Sequence, residues 1–203
     1  EIEEIEAMQG NEGNVTIVRL QPHIHPDIAR LERNFYTSSS CGVCGKASIE
    51  AVMAQCPVID TKDNIKVLAS VLYELPHLLQ EGQNMFRQTG GIHGCGLFAT
   101  DGLMVLMRED VGRHNALDKL IGAAIQRGIL PLQQHILLLS GRASFELIQK
   151  AAMAGVKVVA AVGAPSALAV QMADEWGITL VGFLRKERFN VYTGMHRIVI
   201  DSK

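Results

Sequence analysis

The chain has 203 residues, of which 48% are hydrophobic, and its formal net charge is −2 at pH 7. Its basic residues are dispersed, so the electrostatic footprint of a nucleic-acid-binding protein is missing. No apolar run approaches the roughly 20 residues that span a bilayer. These features predict a globular protein with one substantial core, and they disfavour nucleic acid and membrane as partners.

The chain starts at Glu1 rather than at a methionine, and the first clear strand pattern is Val15–Leu20. We expect residues 1–30 to be the remnant of a small N-terminal subdomain that contains β-structure. Residues 31–203 are expected to form the main domain.

A C-x-x-C pair, Cys41-Gly-Val-Cys44, places two sulfur nucleophiles on pliable backbone. Such a pair can bind a metal, cycle between dithiol and disulfide, or carry sulfur as a persulfide, and these residues alone do not choose among the three. Apolar side chains at helical spacing predict a helix from near Lys46 to just before Pro57. The pair would lie at the N-terminal end of that helix, where partial positive charge favours the thiolate.

The other cysteines, Cys56 and Cys95, are solitary. This arrangement is unlike the disulfide framework of a secreted domain, so we expect a reducing, cytoplasmic location. Cys56 lies on an apolar helix face and is interpreted as a small buried hydrophobe. Cys95, between two glycines, is expected to be accessible but has no evident activator.

From residue 65 onward, helical and strand patterns alternate. The predicted helices are Ile65–Leu72, Leu75–Phe86, one containing Leu117 to Ala124, Phe145–Ala154 and Ser166–Glu175; the predicted strands are Leu103–Met107, Ile136–Leu139, Val156–Val162 and Thr179–Phe183. Between them, Gly90–Gly96 is interpreted as a glycine-rich turn that carries His93. Near-continuous apolar strands separated by helices predict an α/β fold, a three-layer sandwich around a largely parallel sheet.

Open α/β sheets bind ligands beyond the carboxyl ends of their strands, and the loops predicted there are rich in glycine and basic residues. The candidate binding residues in these loops are Arg113, His114, Ser140, Gly141, Arg142, Arg185, Lys186 and Arg188. Small residues allow close approach of a ligand, helix N-termini offer free N–H groups, and arginines match phosphate. The loops together predict a site for several phosphates or a dinucleotide.

Each of these residues also has a purely structural interpretation. A lone histidine such as His93 or His114 is more often a structural side chain, although both lie in glycine-flanked turns. Any single arginine is more often a solvated surface residue. Asp110 and Asp118 are expected to pair with Arg113 or Lys119 on a helix surface, which contributes only a few tenths of a kcal/mol. The functional interpretation therefore depends on the convergence of several loops.

Several segments in this order resemble the formate dehydrogenase accessory sulfurtransferase family, FdhD. The segments are Ser40-Cys-Gly-Val-Cys-Gly45, Thr89-Gly-Gly-Ile-His93, Arg108-Glu-Asp-Val-Gly-Arg-His-Asn-Ala-Leu-Asp-Lys119, Ser140-Gly-Arg-Ala-Ser144 and Leu180-Val-Gly-Phe183 through Asn190-Val-Tyr192. The resemblance covers most of the chain. The run from Glu109 to Lys119 is the most distinctive part.

The resemblance implies a cytidine deaminase-like core and a sulfur-carrying function. A cysteine desulfurase would load a persulfide on Cys41, with Cys44 as a supporting thiol, and the sulfur would pass to the molybdenum cofactor in its bis(molybdopterin guanine dinucleotide) form before insertion into formate dehydrogenase. The residues implied to contact the dinucleotide are Phe183, Leu184, Arg185, Lys186, Glu187 and Arg188. Arg113, His114 and His93 would lie near the metal or pterin end. We expect a homodimer and no permanently bound metal.

Two alternatives remain open. A zinc-binding, deaminase-like protein would use Cys41, Cys44 and His93, although the chain lacks the H-x-E and P-C-x-x-C pairing of the deaminases. A thiol–disulfide oxidoreductase would use the same cysteine pair, although that pair follows a serine-rich loop rather than opening the helix of a βαβ unit.

Overall fold

The structure is a computed structural model that describes residues 2–7, 16–26 and 64–201. The chain divides into two units, Glu1–Ser40 and Cys41–Lys203. The C-x-x-C pair, Cys56 and the helix predicted between Lys46 and Pro57 lie outside the described residues.

The first unit contains an antiparallel pair of strands, β1 (Ile2–Ala7) and β2 (Thr16–Leu20). The strand predicted at Val15–Leu20 is therefore confirmed within one residue. Its partner β1 was not predicted. Arg19 of β2 forms ion pairs with Glu4 at 3.2 Å and Glu6 at 3.3 Å across the strands.

The second unit alternates strands and helices. Its elements are β3 (Val67–Leu68), α1 (Ala69–Gly82), α2 (Asn84–Thr89), β4 (His93–Ala99), β5 (Met104–Asp110), α3 (Arg113–Gln126), β6 (His135–Leu139), α4 (Phe145–Met153), β7 (Val158–Ala161), α5 (Ala167–Glu175), β8 (Thr179–Gly182), β9 (Asn190–Thr193), a 3-10 turn (Met195–Arg197) and β10 (Ile198–Val199). From α3 to β8, the predicted helices and strands are all present with small shifts at their ends.

The main sheet has six strands in the order β5-β4-β6-β7-β8-β9. Only β6, β7 and β8 are parallel neighbours, whereas β4 is antiparallel to β5 and β6, and β9 is antiparallel to β8. The prediction of a largely parallel sheet was wrong because β9 was missed and β4 was interpreted as a turn. Helices cover both faces: α3, α4 and α5 pack on one, and α1 packs on the other.

The glycines of β4 explain why this strand was interpreted as a turn. A Cβ at Gly94 would lie 2.6 Å from Nε2 of Gln83, and a Cβ at Gly96 would lie 2.5 Å from the Phe98 ring. These glycines allow other side chains to cover the strand closely. They have a packing role rather than a turn-forming one.

The region between Ile65 and Phe86 also differs from its prediction. A single helix, α1, runs from Ala69 to Gly82 with Pro76 in its interior, and α2 follows it. The prediction placed Pro76 in the first turn of a second helix, where proline is best tolerated. At the start of α1, the backbone N–H of Ser70 donates to the Asp201 carboxylate at 3.0 Å. This bond satisfies one of the free N–H donors at the N-terminal end of the helix.

Candidate functional site

The carboxyl ends of β5, β6, β7 and β8 lie at one edge of the sheet. Strand β4 is antiparallel to both β5 and β6, so β5 runs in the same direction as the parallel group. The N-terminal ends of β4 and β9 lie at this edge too, since each pairs antiparallel with a strand that ends there. The predicted convergence of loops is therefore present. The candidate residues brought to this edge are His93, Arg113, His114, Ser140, Gly141, Arg142 and Phe183 to Arg188.

A first cavity of about 490 Å³ opens at this edge, on the side of α1 and α2. It is lined by Pro76, Leu79, Gln80, Gln83, Phe86, Gly90, Gly91, Ile92, His93, Ser140 and Val162. The Ser140 hydroxyl accepts a hydrogen bond from the Gly94 N–H at 2.9 Å, and the Ser140 N–H donates to the Gly94 carbonyl at 3.0 Å. A Cβ at Gly141 would lie 3.3 Å from Nδ1 of His93, so this glycine makes room for the imidazole.

A second cavity of about 330 Å³ is lined by Phe183, Arg185, Arg188 and Asn190. Phe183 has a left-handed φ of 53°, which is uncommon for a bulky residue, and its side chain is 43% exposed. Strained backbone of this kind is concentrated at functional sites. The Arg185 guanidinium donates to the carbonyls of Val162 at 2.6 Å and Leu184 at 2.9 Å, and these bonds hold it in place.

The loops after β6 and β7 are joined by backbone hydrogen bonds. The Gly163 N–H donates to the Gly141 carbonyl at 2.9 Å, and the Ser166 N–H donates to the Ala143 carbonyl at 2.9 Å. A Cβ at Gly163 would lie only 2.8 Å from the backbone nitrogen of Arg142. Glycine at position 163 is thus required for the two loops to come this close.

The turn between β5 and α3 is held by the Asp110 carboxylate. It accepts hydrogen bonds from the Gly112 N–H at 2.9 Å and the Asn115 amide at 3.2 Å, and it forms an ion pair with Lys119. The hydrogen bond from Lys119 is the main reason that the pKa of the Asp110 carboxyl is lowered, and the Gly112 N–H contributes. Asp110 therefore pairs with Lys119, as predicted, and the network fixes where α3 begins.

Arg113 and His114 open α3 and have different surroundings. Nε2 of His114 lies 2.8 Å from the Glu146 carboxylate and 3.2 Å from the Ser144 hydroxyl. Burial lowers the pKa of the His114 imidazole, and the Glu146 charge opposes this effect. The Nε atom of Arg113 is buried and has no hydrogen-bond partner among the described residues.

The side chains in the segment from Phe183 to Arg188 differ in exposure. Arg185, Lys186, Glu187 and Arg188 are exposed, as is Arg142 in the neighbouring loop. Leu184 is fully buried and packs in the core on the α1 side of the sheet. Its side chain therefore serves the core, and only its backbone faces the edge.

The structure contradicts two expectations, the accessibility of Cys95 and the ion-pair partner of Asp118. Cys95 is only 2% exposed, so the expectation of an accessible thiol was wrong. Burial raises the pKa of the Cys95 thiol to about 12, and the Asp118 charge adds to that rise. Asp118 pairs with Lys150 of α4, at 2.6 Å, rather than with Arg113 or Lys119.

Sequence analysis identified His93 and Ser140 of the first cavity but missed its lining residues Gln83 and Phe86 and the nearby Glu109. The Glu109 carboxylate accepts backbone hydrogen bonds from Met85 at 3.0 Å and Phe86 at 2.9 Å, and it lies 3.5 Å from the Gln83 amide nitrogen. Glu109 lies within the run from Glu109 to Lys119, the most distinctive part of the sequence, and this position could have marked it as a candidate residue. Nothing in the local pattern of Gln83 or Phe86 indicated that they lie beside a cavity.

Among the residues with described positions, no group of three or more His, Cys, Asp and Glu lies close enough to hold a metal ion. No helix in the same ranges combines the length and apolar character of a membrane span.

Comparison with known proteins gives a consistent result. The model of the FdhD/NarQ family matches residues 1–199. A protein of Streptomyces coelicolor named "Sulfur carrier protein FdhD" is 54% identical over 193 residues, which are 94% of this chain and 68% of the relative. A protein of the same name from Mycobacterium tuberculosis is 52% identical over 185 residues, which are 91% of this chain and 67% of the relative. These names refer to sulfur transfer, and they lend no support to the zinc-binding alternative.

A solved structure is also similar. The crystal structure of a protein from Desulfotalea psychrophila, described as a formate dehydrogenase accessory protein, superposes with a TM-score of 0.66 at 26% identity. The match covers 74% of this chain and 62% of that one. The chain therefore spans about two thirds of the length of the curated relatives and somewhat less of the solved structure.

Proposed function

The chain belongs to the FdhD/NarQ family, and from this membership we propose that it is a cytoplasmic sulfurtransferase that carries sulfur as a persulfide on Cys41. The observation that carries the proposal is the identity of about half of all positions with proteins named as sulfur carriers, over more than nine tenths of the chain. The donor is a cysteine desulfurase. The acceptor is the molybdenum cofactor, as bis(molybdopterin guanine dinucleotide), which then enters formate dehydrogenase. Cys95, with its buried thiol, takes no part.

Loading exchanges one sulfur–sulfur bond for another. The Cys41 thiolate attacks the outer sulfur of the desulfurase persulfide, the bond from that sulfur to the donor cysteine breaks, and the donor cysteine leaves as a thiolate. Delivery of the sulfur as sulfide requires two electrons. The Cys44 thiolate supplies them by attacking Cys41 Sγ, which forms a Cys41–Cys44 disulfide and releases sulfide to the acceptor. A cellular dithiol then reduces the disulfide for the next cycle.

The acceptor would be held at the carboxyl edge of the main sheet, in a cytidine deaminase-like core. Arg185 and Arg188 line the second cavity, and the exposed Arg142 lies in the adjoining loop. Forked guanidinium groups and free backbone N–H groups suit a pyrophosphate. The exposed ring of Phe183 is available to stack on a base. A homodimer would present this edge twice.

Intact mass spectrometry after incubation with a cysteine desulfurase and cysteine tests the carrier role. The wild-type protein is expected to gain a sulfur atom that a reductant removes. Cys41→Ala is expected to abolish the gain of sulfur. Cys44→Ala is expected to gain the sulfur but not to deliver it to the acceptor. The matched control, Cys95→Ala, is expected both to gain and to deliver the sulfur. Sulfur loading of Cys41→Ala, with formate dehydrogenase activity still supported, would overturn the proposal.

Binding of GDP, measured by calorimetry, tests the phosphate site. Replacing Arg142 and Arg188 together with alanine is expected to weaken binding by at least about tenfold, since each charge-assisted hydrogen bond contributes about 1.5 to 3 kcal/mol. Arg127→Ala is the matched control, because Arg127 is an exposed arginine that follows the C-terminal end of α3. Unchanged GDP affinity in the double variant would show that these two arginines do not bind the phosphates.

A further inference from the structure

The first cavity is not explained by phosphate recognition. None of its described lining residues is a lysine or an arginine, and its apolar wall includes Pro76, Leu79, Phe86, Ile92 and Val162. A phosphate placed there would lose water without gaining the ammonium or guanidinium partner that usually offsets this cost, which is unfavourable. The volume of about 490 Å³ lies within the range of small-molecule sites, which are mostly apolar with a few placed polar groups.

The polar groups of this cavity are held in place by the protein itself. Gln83 is 4% exposed, its amide lies beside the Glu109 carboxylate, and it occupies the space that a side chain at position 94 would take. The Ser140 hydroxyl accepts from the Gly94 N–H, which leaves its own proton to donate. Preformed polar groups lower the entropic cost of binding and favour a ligand with a defined hydrogen-bonding edge.

The glycine at position 91 has no packing reason within the described residues. A Cβ there would meet only the Thr89 carbonyl oxygen, at 3.9 Å, and the residue lines the first cavity. Its neighbour Gly90 differs, because its φ of 66° is left-handed and requires glycine. A glycine on a cavity wall that neither packing nor backbone conformation requires leaves room for a flat ligand to lie close to the backbone.

The two cavities are joined by one short segment. Val162 lines the first cavity, and its carbonyl accepts the 2.6 Å hydrogen bond from Arg185, which lines the second. The two cavities are therefore neighbours on either side of Val162, an arrangement that suits a ligand with a ring at one end and phosphates at the other.

We propose that the first cavity binds the bicyclic pterin ring of the cofactor, while the second binds the guanosine diphosphate end. The inference rests on the proposed function and divides its acceptor site into two parts. A pterin has apolar faces, which match the wall formed by Phe86 and Val162. Its edge carries both donors and acceptors, which match the amides of Gln80 and Gln83 and the Ser140 hydroxyl.

Separate binding measurements with 6-hydroxymethylpterin, followed by its fluorescence, and with GDP, followed by calorimetry, test this division on the full chain. Wild-type protein is expected to bind the pterin with a Kd below about 1 mM, and to bind both probes at once. Gly91→Leu, which fills the cavity, is expected to weaken pterin binding at least about tenfold and leave GDP affinity unchanged. Gln80→Ala, at an exposed position, is expected to weaken pterin binding several-fold. Arg188→Ala is expected to weaken GDP binding and leave pterin binding unchanged.

Gly122→Leu is the matched control, because Gly122 on α3 is also in open surroundings: a Cβ there would meet no atom within 4 Å, and one at Gly91 only the Thr89 carbonyl oxygen at 3.9 Å. The inference is overturned if the wild-type protein does not bind the pterin at about 1 mM, if GDP displaces it, or if Gly91→Leu and Gly122→Leu have equal effects. Loss of GDP binding with the pterin site intact would instead count against the phosphate site of the proposed function. The two failures are thus distinguishable.

Discussion

The Glu109 carboxylate accepts a hydrogen bond from the backbone N–H of Phe86 at 2.9 Å, which ties the edge strand β5 to the start of α2. The neighbouring Met85 N–H donates to the other carboxylate oxygen at 3.0 Å. A negative charge at a helix N-terminus is favourable, because the free N–H groups there carry partial positive charge. This contact positions Phe86, and with it one wall of the first cavity.

Glu109→Gln is expected to lower the free energy of unfolding by about 1 to 2 kcal/mol, because a neutral amide offers one acceptor where the carboxylate offers two. Urea denaturation measures this change. Glu175→Gln is the matched control, since Glu175 is exposed and accepts a single hydrogen bond from Gln171 at 2.9 Å, and its effect is expected within about 0.5 kcal/mol. Equal effects of the two substitutions would contradict the capping role.

The contacts of the Asp110 carboxylate predict that the free energy of unfolding depends on pH. The pKa of its carboxyl is lowered in the folded state, first by the hydrogen bond from Lys119, so the unfolded chain takes up the proton first as the pH falls. Ionised Asp110 therefore stabilises the fold above its unfolded pKa of about 3.9. That stabilisation is lost as the pH falls through the lower folded pKa.

The destabilisation caused by Asp110→Asn is accordingly expected to be largest near neutral pH and to shrink as the pH approaches about 3. Urea denaturation of wild type and variant across this range measures the trend. Asp174→Asn, at an exposed position of α5, is expected to show little effect at any pH. A pH-independent penalty for Asp110→Asn would argue against the ionic contribution.

Gly163 is expected to tolerate no side chain. Gly163→Ala would place a Cβ 2.8 Å from the Arg142 backbone nitrogen, so we expect a loss of about 1 to 3 kcal/mol in the free energy of unfolding from overpacking. GDP affinity should fall as well, because the loop that carries Arg142 must move. Gly122→Ala, in the open interior of α3, is expected to stabilise the protein by up to about 1 kcal/mol. Thermal denaturation and GDP titration of both variants check these outcomes, and a fully stable Gly163→Ala protein would disprove the close approach.

Cys95 is expected to resist alkylation in the native protein. Its pKa is raised to about 12, and its side chain is 2% exposed, so neither thiolate nor access is available near pH 8. Iodoacetamide labelling followed by peptide mapping checks this. Cys95 should be modified only when urea is present, and labelling of Cys95 in native protein at the rate of a free thiol would show that the buried position is wrong.

The elements between α3 and β8 were predictable because their apolar patterns are strong and local. Strand β4 was not, since Gly94 and Gly96 resemble a turn until Gln83 and Phe98 are seen to occupy the space above them. Strand β9 was missed because its residues, Asn190–Thr193, are only partly buried. Leu184 was grouped with its exposed neighbours as a ligand contact, although its side chain belongs to the core.

The sequence by itself determined the family, because the C-x-x-C pair, the basic and glycine-rich loops and the order of the motifs are properties of the chain that need no coordinates. The tertiary structure decided which of these features are neighbours. The reversal of β4 aligns β5 with β6, and Gly163 lets the loop after β7 close on Arg142. Two lining residues of the first cavity, Gln83 and Phe86, donate hydrogen bonds to Glu109, which is distant from them in sequence. Contacts of this kind depend on strand direction and packing, which local periodicity does not encode.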